Sequence, residues 1–162
     1  MANLRNALFL VAALAAAPAI AQTKPAAPAQ TDNMQILREK LKADKKLLVA
    51  ANLELTEAEA KAFWPVYEEY QKGLAKINDQ LATTITAYAK EYNAGSLTDK
   101  KATELVSQSI AIEESESKLK RAFMPKLAKV LPGRKAARYM QIENKVRALI
   151  KYEIAGEVPL AP

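Results

Sequence analysis

The sequence predicts an all-α fold: a bent, four-helix, hairpin-type architecture in which the second and third helices are long and antiparallel. Three observations predict it. Apolar side chains recur every three or four residues through most of residues 34–154, which is the spacing of one helical face. The chain has four glycines in 162 residues and no cysteine, and it is rich in Ala, Leu, Lys and Glu. Capping residues and breakers at Thr56, Gly95, Thr98 and Pro132–Gly133 divide the pattern into separate helices.

The N-terminus reads as a cleavable secretory leader over residues 1–21. Arg5 supplies a positive start, Leu8 to Ala17 an apolar core, and Ala19-Ile20-Ala21 the small residues that a signal peptidase reads before Gln22. A bilayer span needs roughly 20 apolar residues, about twice this core. Without cysteine there is no lipid-anchor site, disulfide or thiolate metal site. Residues 22–33, with Pro25 and Pro28, form a flexible linker. One all-helical domain over residues 34–156 and a tail over 157–162 complete the plan.

The first helix is expected from about Met34 to Ala51, with Met34, Leu37, Leu41 and Leu48 as its apolar stripe and Asn52 as its stop. Thr56 then caps the second helix, and Glu59 can reach back to complete a capping box. The second helix carries the strongest periodicity: Phe63, Tyr67, Tyr70, Leu74, Ile77, Leu81, Ile85, Tyr88 and Tyr92. Such a stripe must be buried against another long element. Asn93, Gly95 and Ser96 end it, and Thr98 caps the third helix with Asp99 at the positive helix end. The third seam is Leu105, Ile112, Leu119, Phe123, Leu127 and Val130, interrupted by Ser109 and Glu116. A partner cation is the expectation for Glu116. The fourth helix is expected from Arg134 to Ile154, with Tyr139, Ile142, Val146, Leu149 and Ile150 inward and Gly156 and Pro159 as stops.

Ala62-Phe63-Trp64-Pro65 echoes Ala122-Phe123-Met124-Pro125. A proline inside a helix removes one hydrogen bond and bends it. Pro65 and Pro125 lie symmetrically about Gly95, so a hairpin folded there bends at one level.

Function classes narrow by absence of side chains. With no histidine there is no Ser–His or Cys–His pair, and no glycine-rich phosphate loop occurs. Glu57 with Glu59, and Glu68 with Glu69, read as helix surface, so no enzyme and no cofactor is expected. Glu113, Glu114 and Glu116 are followed by Lys118 and Lys120 and read as a solvated face, so no metal site is expected. The formal net charge is +6, and loss of Arg5 with the leader makes it +5. Export and the lack of any nucleic-acid motif argue against nucleic acid as the partner of this basic chain. The helices lack the one-sided basic face of membrane-surface helices. Arg134, Arg138 and Lys145 recur at helical spacing, and Arg147 and Lys151 extend the positive character. Trp64 and Met124, next to Pro65 and Pro125 and off the main seams, are candidate apolar contacts. Cations next to apolar side chains attract an unfolded or partner polypeptide by charge and hold it by apolar contact.

Leu55-Thr56-x-x-Glu59 resembles the LTxxQ signature, and Leu131-Pro132-Gly133-Arg134-Lys135 resembles its second copy. Glu59 and Lys135 stand where the signature has Gln, and Pro132 where it has Thr. Two such copies on an exported helical chain of this size resemble the Spy/CpxP superfamily of periplasmic stress chaperones and related metal-binding proteins. The resemblance implies a bent helical hairpin that pairs into a cradle-shaped homodimer, and ATP-independent binding of polypeptides in the periplasm under stress. Its alternatives are a regulatory module that binds the sensor domain of an envelope signalling protein, and a metal sensor or scavenger, which the missing His and Cys disfavour. Intact-mass analysis of the protein purified from its native envelope is expected to give a chain starting at Gln22; a chain that retains residues 1–21 overturns the leader.

Overall fold

A computed structural model describes residues 43–162. The expected leader, the linker and Met34, Leu37 and Leu41 lie outside the described residues. Four helices follow one another: α1, described over residues 43–53; α2, Glu57–Ala94; α3, Asp99–Val130; and α4, Gly133–Glu157. No strand occurs among the described residues.

Local chemistry sets the ends of these helices. Thr56 Oγ1 accepts from the Glu59 N–H at 3.3 Å, while Glu59 Oε2 accepts from the Thr56 N–H at 2.8 Å. Two of the N–H groups left free at the start of α2 are thereby satisfied. Gly95 ends α2 in the left-handed region at φ 63°, where glycine carries no Cβ penalty. Thr98 Oγ1 accepts from the Lys101 N–H at 3.2 Å and opens α3. Pro132 caps α4 without a side-chain hydrogen bond. Both α2 and α3 continue through their internal prolines, Pro65 and Pro125.

Contacts show how the helices lie. Glu69 pairs with Lys126, Tyr70 packs on Phe123, and Gly73 faces Leu119, so residue numbers rise along α2 as they fall along α3. This register brings Pro65 and Pro125 within about one helical turn of the same level. A Cβ on Gly73 would lie 2.7 Å from Leu119 Cδ1, so a larger residue there would require the Leu119 methyl to swing aside. Gln71 bonds Tyr139, Asn78 bonds Arg147, and Tyr88 bonds the Pro159 carbonyl, so α4 runs in the same sense as α2. Lys45 meets Glu143 and the Asn52 carbonyl meets Arg138, which places α1 across the first half of α4.

The main core sits where all four helices meet. Val49 and Leu53 of α1 close over Phe63, Tyr67 and Tyr70 of α2, with Phe123, Leu127 and Leu131, and with Ala136 and Tyr139 of α4. The Tyr139 ring meets Phe63 edge-on at 5.1 Å and Tyr70 at 6.0 Å. Such aromatic pairs add about 0.5–1.5 kcal/mol each beyond the area they bury. Towards the Gly95 turn a thinner seam continues through Ile77, Ile85 and Ala89 against Leu105 and Ile112.

Two inward assignments are corrected. Leu48 is 44% exposed, and the buried residues of α1 are Val49 and Leu53. Leu47-Leu48-Val49 offers three neighbouring directions about 100° apart, and the four-residue step from Lys45 through Val49 to Leu53 chooses between them. Leu149 is 55% exposed, because α4 turns Ala136, Tyr139, Glu143 and Arg147 inward instead. The helix also passes through Gly156 and stops at Glu157.

Thr56→Ala removes the side-chain half of the capping box and is expected to cost about 1 kcal/mol. Urea denaturation of the variant against wild type checks it; an unchanged midpoint would show that the cap contributes nothing.

Candidate functional site

The two signature-like segments lie at the start of α2 and the start of α4, and the fold brings them together. Lys135 Nζ lies 2.6 Å from Glu59 Oε2 and 2.8 Å from the Glu54 carbonyl. Glu54 takes a left-handed conformation at φ 48° in the link between α1 and α2. The Lys135 ammonium, together with the Thr56 N–H, holds the Glu59 carboxyl below its ordinary value of 4.5. The positions at which the signature has Gln are thus an ion pair here. They join two helix starts that are 76 residues apart in sequence.

Below this junction the α4 interface is polar. Glu143 receives Lys45 Nζ at 2.7 Å on one oxygen and Gln71 Nε2 at 2.8 Å on the other. Gln71 also donates to Tyr139 Oη at 3.2 Å, and its own carbonyl accepts from Lys45 at 2.9 Å. One turn beyond Glu143, Arg147 Nε reaches Glu116 Oε2 at 2.7 Å and Arg147 Nη1 reaches Asn78 Oδ1 at 2.7 Å. Lys120 Nζ takes the other Glu116 oxygen at 2.6 Å. Burial pushes the Glu116 carboxyl up, but Lys120 and Arg147 outweigh it and hold it below 4.5. Burial likewise raises Tyr67, Tyr70 and Tyr139, with the Glu143 charge adding to it.

The structure separates the candidate contact residues. Arg134, Arg138 and Lys145 are exposed on the outer face of α4. Among the described residues Arg138 makes only a long contact, 3.4 Å, to the Asn52 carbonyl. Met124 is 40% exposed on α3. Trp64 is half-buried on α2, its ring 5.1 Å from Phe63 and 5.3 Å from Tyr67, with Lys46 above it at 5.1 Å. It belongs to the core that α1 closes. Arg147 leaves the basic face altogether: it is 7% exposed and bound to Glu116. Lys151 is paired with Glu113 at 2.8 Å.

Two exposed residues were missed as candidates. Leu149 and Tyr152, 55% and 76% exposed, lie on the same outer face as Arg134, Arg138 and Lys145. The sign was present in the steps from Tyr139 to Glu143 to Arg147, which define the inner face and leave position 149 outside it.

Glu113 pairs with Lys151, Glu114 lies 3.7 Å from Lys118, and Glu116 is held by Lys120 and Arg147. Among the described residues no group of three or more acidic side chains is arranged to hold a metal ion. No helix among them is long and apolar enough to cross a membrane. Comparison with known protein families, with curated proteins and with solved structures returned no match.

Arg147→Met leaves the buried Glu116 carboxylate to Lys120 alone and is expected to cost about 3 kcal/mol. Glu116→Gln in the same chain should restore part of it. Because folding lowers the Glu116 pKa, the stability this carboxylate contributes is present above pH 4.5 and is lost as pH falls through the lower folded value. Urea titrations from pH 6 to pH 3 should therefore show a shallower acid loss for Glu116→Gln than for wild type. Equal slopes would remove Glu116 as a source of acid sensitivity.

Proposed function

We propose that the chain is an exported, periplasmic protein that binds unfolded or partner polypeptides without ATP, in the manner of a chaperone, and works as a homodimer. The observation that carries this reading is the surface of α4: the apolar Leu149 and Tyr152 stand in water beside Arg134, Arg138 and Lys145. Charge of one sign brings an oppositely charged chain in at long range, and exposed apolar groups then retain it. Met124 on α3 adds a soft, adaptable apolar contact of the kind found on promiscuous binding surfaces. The leader-like N-terminus supports the periplasmic setting. Kinship with the Spy/CpxP superfamily is supported by the meeting of the two LTxxQ-like segments through Glu59 and Lys135.

The test is light scattering from an acidic, permanently unfolded client, with and without the protein, at several salt concentrations. The protein should suppress aggregation, and salt should weaken the effect because exposed charges are screened within about 8–10 Å. Arg134→Glu with Arg138→Glu should weaken suppression while the thermal midpoint stays put. Wild-type protein that never suppresses aggregation overturns the reading.

A further inference from the structure

Arg134, Arg138, Lys145, Leu149 and Tyr152 are separated by four, seven, four and three residues. At about 100° per residue these steps confine all five to an arc of about 60° on α4. The arc lies on the side away from Tyr139, Glu143 and Arg147, the residues that α4 buries. The carboxylates of α4 all fall off it: Glu143 is buried, the half-buried Glu153 lies on the flank about 40° beyond Leu149, and the exposed Glu157 lies at the helix end, past Tyr152. Neither Arg134 nor Lys145 makes an ion pair with a described residue, and Arg138 has only its long contact to a carbonyl. This contrasts with the cations of the inner and flanking faces. Lys45, Lys135, Arg147 and Lys151 each hold a carboxylate.

The row therefore has a polarity of its own. Its N-terminal two thirds present three cations that hold no carboxylate among the described residues, and its C-terminal end presents two large apolar groups. From Arg134 to Tyr152 it extends about 27 Å, or five helical turns. We infer that this row is a docking site for an acidic, amphipathic helical segment of a partner polypeptide. The segment carries carboxylates along most of its length and an apolar pair at the end that meets Leu149 and Tyr152. The inference rests on the polypeptide-binding reading above and deepens it by naming the surface and the partner's charge. A membrane surface fits less well. An interfacial helix needs an apolar face along its length, and the exposed side of α4 carries large apolar groups only at Leu149 and Tyr152.

The experiment measures binding of a fluorescein-labelled 18-residue helical peptide, with Glu at every third or fourth position and Leu and Phe near one end, to the full chain by anisotropy. A Gln-for-Glu peptide, a Ser-for-Leu/Phe peptide and phosphatidylglycerol vesicles serve as further probes. Arg134→Glu with Arg138→Glu and Lys145→Glu is expected to weaken binding of the acidic peptide about tenfold or more. Leu149→Ser with Tyr152→Ser should weaken it by a similar factor, and the Gln peptide should bind poorly to wild type. All five side chains are exposed, so circular dichroism should find the variants folded. Wild-type affinity in both variants overturns the row as the site. If the same variants still suppress client aggregation, the polypeptide-binding reading stands while this site falls. Loss of vesicle binding in the variants, with no peptide binding by wild type, replaces the polypeptide with a lipid surface. A photo-crosslinker at position 152 should capture the peptide; capture only of a second copy, or of the chain's own residues before 43, overturns the inference.

Discussion

The architecture depends on keeping the charges between its helices paired. Arg147 and Glu116 are almost wholly removed from water, and an isolated charge there would cost several kcal/mol. The pair survives because both carboxylate oxygens and two guanidinium nitrogens have partners. Arg147 has Glu116 and Asn78, and Glu116 has Arg147 and Lys120. Those four residues come from α2, α3 and α4, so the pairing admits one register among the three helices. An apolar interface tolerates sliding by a turn. This one does not, since a slip of one turn strands a buried guanidinium. Glu143 applies the same constraint one turn earlier on α4, where Lys45 and Gln71 tie α1 and α2 to α4.

That polar interior shapes the outside of α4. A helix has a limited inward arc, and Glu143 and Arg147 take two of its positions. Apolar residues that a purely hydrophobic interface would have absorbed are left at the margins or turned outward. Ile142, Val146 and Ile150 are half-buried, while Leu149 and Tyr152 face solvent beside Arg134, Arg138 and Lys145. The mixed cationic and apolar surface is thus coupled to the buried ion pair by rotation of the same helix. Specificity of register and exposure of this mixed surface have one structural origin.

At the opposite end, the Thr56–Glu59 cap serves two purposes. Glu59 accepts from the Thr56 N–H, which is local, and from Lys135, which is not. Glu59 and Lys135 answer each other's charge across two helix starts, so either residue alone would be a poorer choice. The aromatic cluster of Phe63, Tyr67, Tyr70 and Tyr139 lies just below, closed by Val49 and Leu53.

Most of the helix plan was legible because it is local. Caps at Thr56 and Thr98, the glycine turn at Gly95 and the long stripe of α2 depend on residues within a few positions of one another, and their geometry follows from backbone hydrogen bonding and helical spacing. The need of Glu116 for a partner was legible too, since a carboxylate on a buried seam cannot stand alone. Which cation answers it was not legible. Arg147 lies 31 residues away and, read along its own helix, belongs equally well to a solvated basic face. The same ambiguity misplaced Leu48 and Leu149, each of which has apolar neighbours able to face the core in its stead. Sequence alone determined where α2, α3 and α4 begin, where α2 and α3 end and that they bury a seam, because those choices are made within one or two turns. Tertiary structure alone decided how far each helix is rotated about its axis, because that depends on pairing charges and filling space between segments far apart in the chain. The rotation of α4, set in this way, is what brings Arg134, Arg138, Lys145, Leu149 and Tyr152 onto one open face.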